Sequence, residues 1–316
     1  MTDVLFIKTS SLGDVIHHMP ALTEARRQRP DARFAWVVEE AFAPLAALHP
    51  AVAEVIPVAS RRWRSALTHP ATMREIVAFR TELRRRTYDV VIDTQGLVRT
   101  GLIAWFARGR RHGYDARSIR EPFAARFYDV SHQVSRAGHA IARNRALTGL
   151  ALGYAPQGEI DYGLDRAALA PQASAERTAI LLHATAQRGK EWGEGDWVAV
   201  GRALRARGIV PVLPWGAPAE RERAERLAGQ IPGARVPERR PLDDVARLLA
   251  GARVAVGVDT GLLHLAAALA VPTIAIFCGS EPGLTGPRGA GPIVTLGGRG
   301  APPTAAEVLA ALEKLP

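Results

Sequence analysis

Cysteine is nearly missing from this chain: Cys278 is the single one among 316 residues. One thiol cannot build a disulfide framework or a cysteine zinc site, and it agrees with a reducing cytoplasm. Lysine is almost as scarce, since only Lys8, Lys190 and Lys314 stand among 41 basic residues. No Gly-x-Gly-x-x-Gly follows the first apolar run and no Walker loop occurs, which argues against a dinucleotide oxidoreductase and an ATPase. No Asp-x-Asp occurs, and the acid-plus-histidine spacings of a zinc site are missing, so neither a metal nor a cofactor is expected. No stretch approaches the roughly 18 uninterrupted apolar residues of a membrane span. Asp3 and Lys8 bracket an apolar run too short for a secretory segment. The expectation is a soluble chain that can still touch a membrane.

What the chain does contain is core-forming material and arginine. With 47% hydrophobic and 23% charged residues, it can bury substantial cores, and its length suits two domains of about 150 residues each. The net charge of +10 is concentrated: residues 61–126 hold 15 Arg against 6 acids, a net of +9. That stretch is either a solvated arginine surface or a match for an acidic partner such as phosphates, carboxylated sugars or an anionic bilayer. No nucleic-acid recognition motif appears, so nucleic acid is not the expected partner.

Apolar runs at Val4–Ile7, Phe34–Val38, Val55–Val58 and Val90–Asp93 alternate with helical spacings near 14–28, 40–48, 72–87 and 97–107. This rhythm predicts a doubly wound parallel sheet. A turn-rich region is expected over 108–137, a helix near 138–152, and an interdomain linker over 153–171 with a short strand near Ile160. The rhythm restarts with strands at 179–182, 210–213, 254–258 and 273–277 and helices near 194–207, 217–230, 241–251 and 261–270. A capping box at Thr304-Ala305-Ala306-Glu307 opens a last helix. The fold class is therefore α/β, with two doubly wound Rossmann-like domains (1–165 and 172–300) facing a cleft, followed by a terminal helix in 301–316.

Ligands of such sheets gather outside the carboxyl ends of the strands, which directs attention to five turns. Lys8-Thr9-Ser10-Ser11-Leu12-Gly13-Asp14 follows the first strand. Its carboxylate would repel phosphate, so the turn suits an acid–base task. His183-Ala184-Thr185 leads to Lys190, either a phosphate-binding point charge or a surface-loop lysine. Glu220, after Pro214-Trp215-Gly216-Ala217, is either a ribose acceptor or a first-turn helix acid. Val258-Asp259-Thr260-Gly261-Leu262-Leu263-His264 ends a buried strand where helix amides can receive a phosphate, with His264 one turn on. A lone Asp-Thr-Gly does not make an aspartic protease, which needs two carboxylates sharing a proton. Arg61, Arg62, Arg64 and Arg120 are either acceptor-holding groups or ordinary exposed arginines.

These motifs, together with Trp36-Val37-Val38-Glu39-Glu40 and Asp93-Thr94-Gln95-Gly96-Leu97, resemble in order and spacing the lipopolysaccharide heptosyltransferase I family. The likeness runs from Val4 to about Leu284. It implies a GT-B fold and metal-independent, inverting transfer of heptose from ADP-heptose to the Kdo sugar of Kdo-lipid A, at the cytoplasmic face of the inner membrane. It also implies that Asp14 is the general base, that Lys190 neutralises the leaving phosphate, and that Thr185, Glu220, Asp259, Thr260, Gly261 and His264 touch the donor. Arg61, Arg62, Arg64 and Arg120 would form the acceptor's basic surface. The family's last helix crosses back onto the first domain, and 303–315 is expected to do so. Ala186 departs from the pattern, since a second hydroxyl can follow Thr185 in the family. A related transferase adding a later heptose, or a non-catalytic nucleotide-sugar binder, are the competing readings.

Overall fold

The computed structural model describes residues 2–170, 176–185 and 187–316; Ala186 and the end of the expected linker lie outside them. The chain divides into two compact units, meeting between Gly163 and Leu164.

In the first unit, β1 (Asp3–Ile7), β2 (Arg33–Glu39), β3 (Val52–Val58), β4 (Thr87–Asp93), β5 (Arg108–Tyr114) and β6 (Val130–His132) form one sheet in the order 3-2-1-4-5-6. Every pairing is parallel. Val4, Leu5, Phe6 and Ile7 are fully buried, as a central parallel strand covered on both faces requires. The connections carry α1 (Leu12–Gln28), α2 (Ala43–Ala46), α3 (Ser60–Arg64), α4 (Pro70–Leu83), α5 (Val98–Phe106) and α6 (Ala140–Leu152). Val15, Ile16, Met19, Leu22 and Ala25 form the buried stripe of α1. A buried ion pair, Arg145 to Glu24 at 2.9 Å, ties α6 to it. The same carboxylate accepts the Gln157 amide at 2.6 Å, so neither charge is left uncompensated.

The second unit holds a five-stranded parallel sheet of β7 (Thr178–Leu182), β8 (Val210–Val212), β9 (Val254–Val258), β10 (Thr273–Phe277) and β11 (Ile293–Gly297), in the order 11-10-9-7-8. Its helices are α7 (Arg166–Leu169), α8 (Glu194–Ala206), α9 (Pro218–Ala228), α10 (Leu242–Ala250), α11 (Gly261–Ala268) and α12 (Ala305–Glu313). Arg166 clamps the unit's entry: its guanidinium donates to the carbonyls of Ala250, Ala270 and Ala252 at 2.9, 3.0 and 2.8 Å. These acceptors lie where α10 and α11 end, where carbonyls lack partners within the helix.

Two expectations need correction. The region 108–137 is not only turns, because β5 and β6 lie within it. The strand Arg-Gly-Arg-Arg-His-Gly-Tyr has no apolar alternation, and only its last three residues are buried. No strand forms around Ile160. The last helix packs on the core of the second unit, where Val308 and Ala311 join Trp197, Leu204 and Ile274. Arg207 pairs with Glu313 at 2.9 Å, and the indole N–H of Trp192 donates to the Pro303 carbonyl at 2.7 Å. The apolar stripe of α12 is thus already covered.

Candidate active site

Each sheet has one place where successive strands turn in opposite directions. In the first unit it lies between β1 and β4, in the second between β7 and β9. The carboxyl ends of these strands are where an open α/β sheet binds its ligands.

Asp14 stands at the first of these points, in the opening turn of α1. Its Oδ2 accepts from the Ser11 amide at 2.8 Å and the Ser11 hydroxyl at 3.1 Å, closing the helix start as a capping box. Its Oδ1 lies 3.9 Å from the Lys8 ammonium. The capping role is thus shown, and it occupies one oxygen while leaving the other clear of it. Lys8 is buried and donates to the Thr94 carbonyl at 3.0 Å. Burial lowers its pKa, while the charges of Asp14 and Asp93 oppose that shift.

Asp93, at the end of β4, shapes the neighbouring loop from inside. Its Oδ1 accepts the Gln95 and Gly96 amides at 2.8 and 3.2 Å, and its Oδ2 accepts the Tyr128 hydroxyl at 2.7 Å. Burial raises its pKa, and these hydrogen bonds counter the rise. Gly96 has φ +70°, and a Cβ there would meet Ile119 at 2.8 Å, so this turn admits only glycine without strain. The loop then reaches the Asp14 turn: Gln95 accepts the Ser10 amide at 3.3 Å, and Arg99 donates to the Ser10 hydroxyl at 2.7 Å.

The four arginines singled out in the sequence differ among themselves. Glu39, at the end of β2, caps α3 by accepting the Ser60 hydroxyl at 2.6 Å and the Arg61 amide at 3.0 Å. The Arg61 guanidinium lies over the Phe42 ring, 5.2 Å from its centroid. With Arg64 and Ser65 it lines an open basin of about 380 Å³. Arg62 is engaged elsewhere, bound to Glu40 at 3.0 Å and Glu75 at 2.7 Å. Arg120 is exposed beyond β5.

In the second unit the predicted donor residues converge on Asp259. Its Oδ2 accepts from Lys190 Nζ at 2.7 Å and from the Ser280 hydroxyl at 2.6 Å. His264 Nε2 lies 4.0 Å from its Oδ1, and Thr185 donates to its backbone carbonyl at 3.1 Å. Burial pushes the Asp259 carboxyl up. The hydrogen bonds from Lys190 and Ser280, then the charges of Lys190 and His264, outweigh burial and leave the pKa below its usual value. Lys190 is therefore no loose surface lysine, and its loop is pinned from behind. A Cβ on Gly279 would sit 2.3 Å from the Gly189 carbonyl oxygen, so that approach requires glycine. Thr260 is the N-cap of α11 and Gly261 its first residue. His183 is buried, with its pKa lowered to about 4 mainly by that burial, so it serves as a neutral core group.

Glu220 stands apart from this cluster. Its Oε2 accepts the Gly216 and Ala217 amides at 2.7 and 3.2 Å, which makes it the capping acid of α9. Sequence reasoning passed over Ser280 as a partner of Asp259. The carboxyl-end rule reaches it, since it lies three residues beyond β10, but Cys278-Gly279-Ser280 carries no charged group to single it out.

Three comparisons bear on this arrangement. The family model described as glycosyltransferase family 9 (heptosyltransferase) matches residues 76–308. Lipopolysaccharide heptosyltransferase 1 of Pseudomonas aeruginosa is 48% identical over 291 residues, covering 90% of this chain and 81% of that protein. The protein of the same name from Escherichia coli strain K12 is 45% identical over 289 residues, covering 90% and 91%. The solved E. coli heptosyltransferase WaaC with ADP superposes with a TM-score of 0.93 at 42% identity, over 99% of both chains. WaaC with ADP-2-deoxy-2-fluoro heptose gives 0.89 at 41% identity, over 99% of both chains. The α/β architecture expected from the sequence is thus that of solved heptosyltransferases, and the chain belongs to glycosyltransferase family 9, the heptosyltransferases.

Proposed function

We propose that this chain transfers heptose from ADP-heptose to the Kdo sugar of Kdo-lipid A, inverting the anomeric centre without a metal ion. The observation that carries the reading is the Lys190–Asp259–Ser280 cluster at the second unit's switch point, in a chain that has Asp14 at the first unit's switch point. Inverting transfer needs a base to take the acceptor hydroxyl's proton while the nucleotide departs from the opposite face. Asp14 Oδ1 is that base, and its capped Oδ2 fixes the carboxylate's direction. Charge developing on the departing diphosphate falls to Lys190 and to the first amides of α11 at Thr260 and Gly261, donors in place before reaction begins. Thr185, Glu220 and His264 complete the donor contacts. Arg61, Arg64 and Arg120 face the acidic acceptor, Arg62 supports them while held by Glu40 and Glu75, and the basic stretch draws the protein to the anionic surface that holds it.

The deciding experiment is ADP release from ADP-heptose with and without Kdo-lipid A. Release that depends on Kdo-lipid A is expected. Release only with an already heptosylated acceptor would assign the chain to a later heptose, and binding without release would make it a non-catalytic binder. The same assay in EDTA should run at an unchanged rate; a clear loss of turnover would contradict metal-free chemistry.

Ser280→Ala should weaken donor binding by about tenfold, since a hydrogen bond to a charged group is worth roughly 1.5–3 kcal/mol where water does not replace it. Calorimetric titration with ADP-heptose checks this. Unchanged affinity would remove Ser280 from the site.

A further inference from the structure

The arginine-rich stretch contains an apolar feature that its charge alone conceals. On α5, Leu102 and Trp105 are spaced three apart and share a face, with 38% and 54% of their surface exposed. Gly101, one turn before Trp105, receives the Phe127 ring: a Cβ there would meet it at 2.6 Å. This contact seats the short turn Pro122–Phe127 against α5 and brings Phe123, 54% exposed, beside that helix. Phe123 packs edge-on against Phe127 at 6.0 Å. Around these side chains, Arg126 lies 5.2 Å over the Phe123 ring and Arg80 lies 5.1 Å over the Phe106 ring. Residues 98–127 carry 7 Arg against 2 acids.

We propose that Leu102, Trp105 and Phe123 are the point at which this protein enters an anionic bilayer, with the surrounding arginines on the headgroups. An exposed tryptophan on a helix and an exposed phenylalanine on the turn packed against it, with arginines on their neighbouring rings, have the chemistry of an interfacial anchor, and a neutral protein partner would leave the local positive charge unanswered. The position fits as well. Arg99, at the start of α5, holds the Ser10 turn that leads into Asp14, and Trp105 lies six residues further, about 9 Å along the axis. A bilayer met along this face of α5 lies about 9 Å from the turn that carries the proposed base. In that last respect the inference rests on the function proposed above.

The test is co-sedimentation with phosphatidylcholine vesicles with and without phosphatidylglycerol, which needs no substrate. The native chain should bind only the anionic vesicles, and added salt should weaken binding. Trp105→Ser/Phe123→Ser should bind about tenfold less, with ADP-heptose affinity unchanged as evidence of folding. Arg108→Glu/Arg126→Glu, which leaves the apolar group intact, should also bind less. Equal binding by the native chain and both variants would overturn the assignment, as would a native chain that ignores anionic vesicles. A native dimer that these variants dissociate would make the patch a contact between copies instead. ADP release on detergent-dispersed Kdo-lipid A is measured separately. Its absence would overturn the proposed function while leaving the vesicle result standing.

Discussion

Asp14→Ala is expected to abolish transfer, lowering turnover by about 10³-fold, while ADP-heptose still binds. The size follows from the role, since a positioned general base contributes roughly 10²–10⁴. The site explains why donor binding survives: the hydrogen bonds converging on Asp259 come from Lys190 and Ser280, both in the second unit. Alanine also removes the two bonds from Ser11, at a cost of about 1 kcal/mol in stability. Asp14→Asn separates the effects, because an amide oxygen still accepts from Ser11 but cannot take a proton at neutral pH. Asparagine should therefore restore stability without restoring turnover. Near-normal turnover in either variant would end the general-base assignment.

Lys190→Ala should be nearly as damaging, by a different route. Removing the ammonium takes away the charge proposed to answer the leaving diphosphate and leaves Asp259, whose side chain is only 15% exposed, without its ion-pair partner. An uncompensated carboxylate would repel the donor, so affinity should fall by about tenfold or more. Turnover should fall about 10²-fold, in line with the loss of one preorganised electrostatic group. Lys190→Arg should recover part of the affinity but little of the rate, since a planar guanidinium does not reproduce a compact ammonium against one Oδ2. Donor titration and saturating-substrate rates separate the two losses. Unchanged values would return Lys190 to an ordinary loop residue.

Much of this was legible in the sequence because the decisive elements are buried on both faces. Val254–Val258 and Thr273–Phe277 form continuous apolar runs and fold as strands with those limits. The turns that follow such strands carry Asp14, Lys190 and Asp259. What escaped was set by tertiary context. Strand β5 is arginine-rich and found through its neighbours, pairing His112 with Ile92 on one side and Val130 on the other. The anchoring of Lys190 depends on Gly279 and Ser280, about 90 residues away in the chain. The arginines look alike in the sequence because their partners are distant in the chain: Arg62 pairs with Glu40 and Glu75, and Arg61 lies over the Phe42 ring.

The helix starts at Asp14, Glu220 and Glu307 are built alike, each carboxylate reaching back to an amide three residues earlier. In a saturation mutagenesis survey the three positions should therefore be thermally indistinguishable, each alanine lowering Tm by about 2 °C. They should separate only when survival is selected on a working outer-membrane glycolipid. Glu307 would then tolerate replacement, and Asp14 would not. A proposed base built like this is hidden among look-alike capping acids, and stability data alone would rank all three as equivalent.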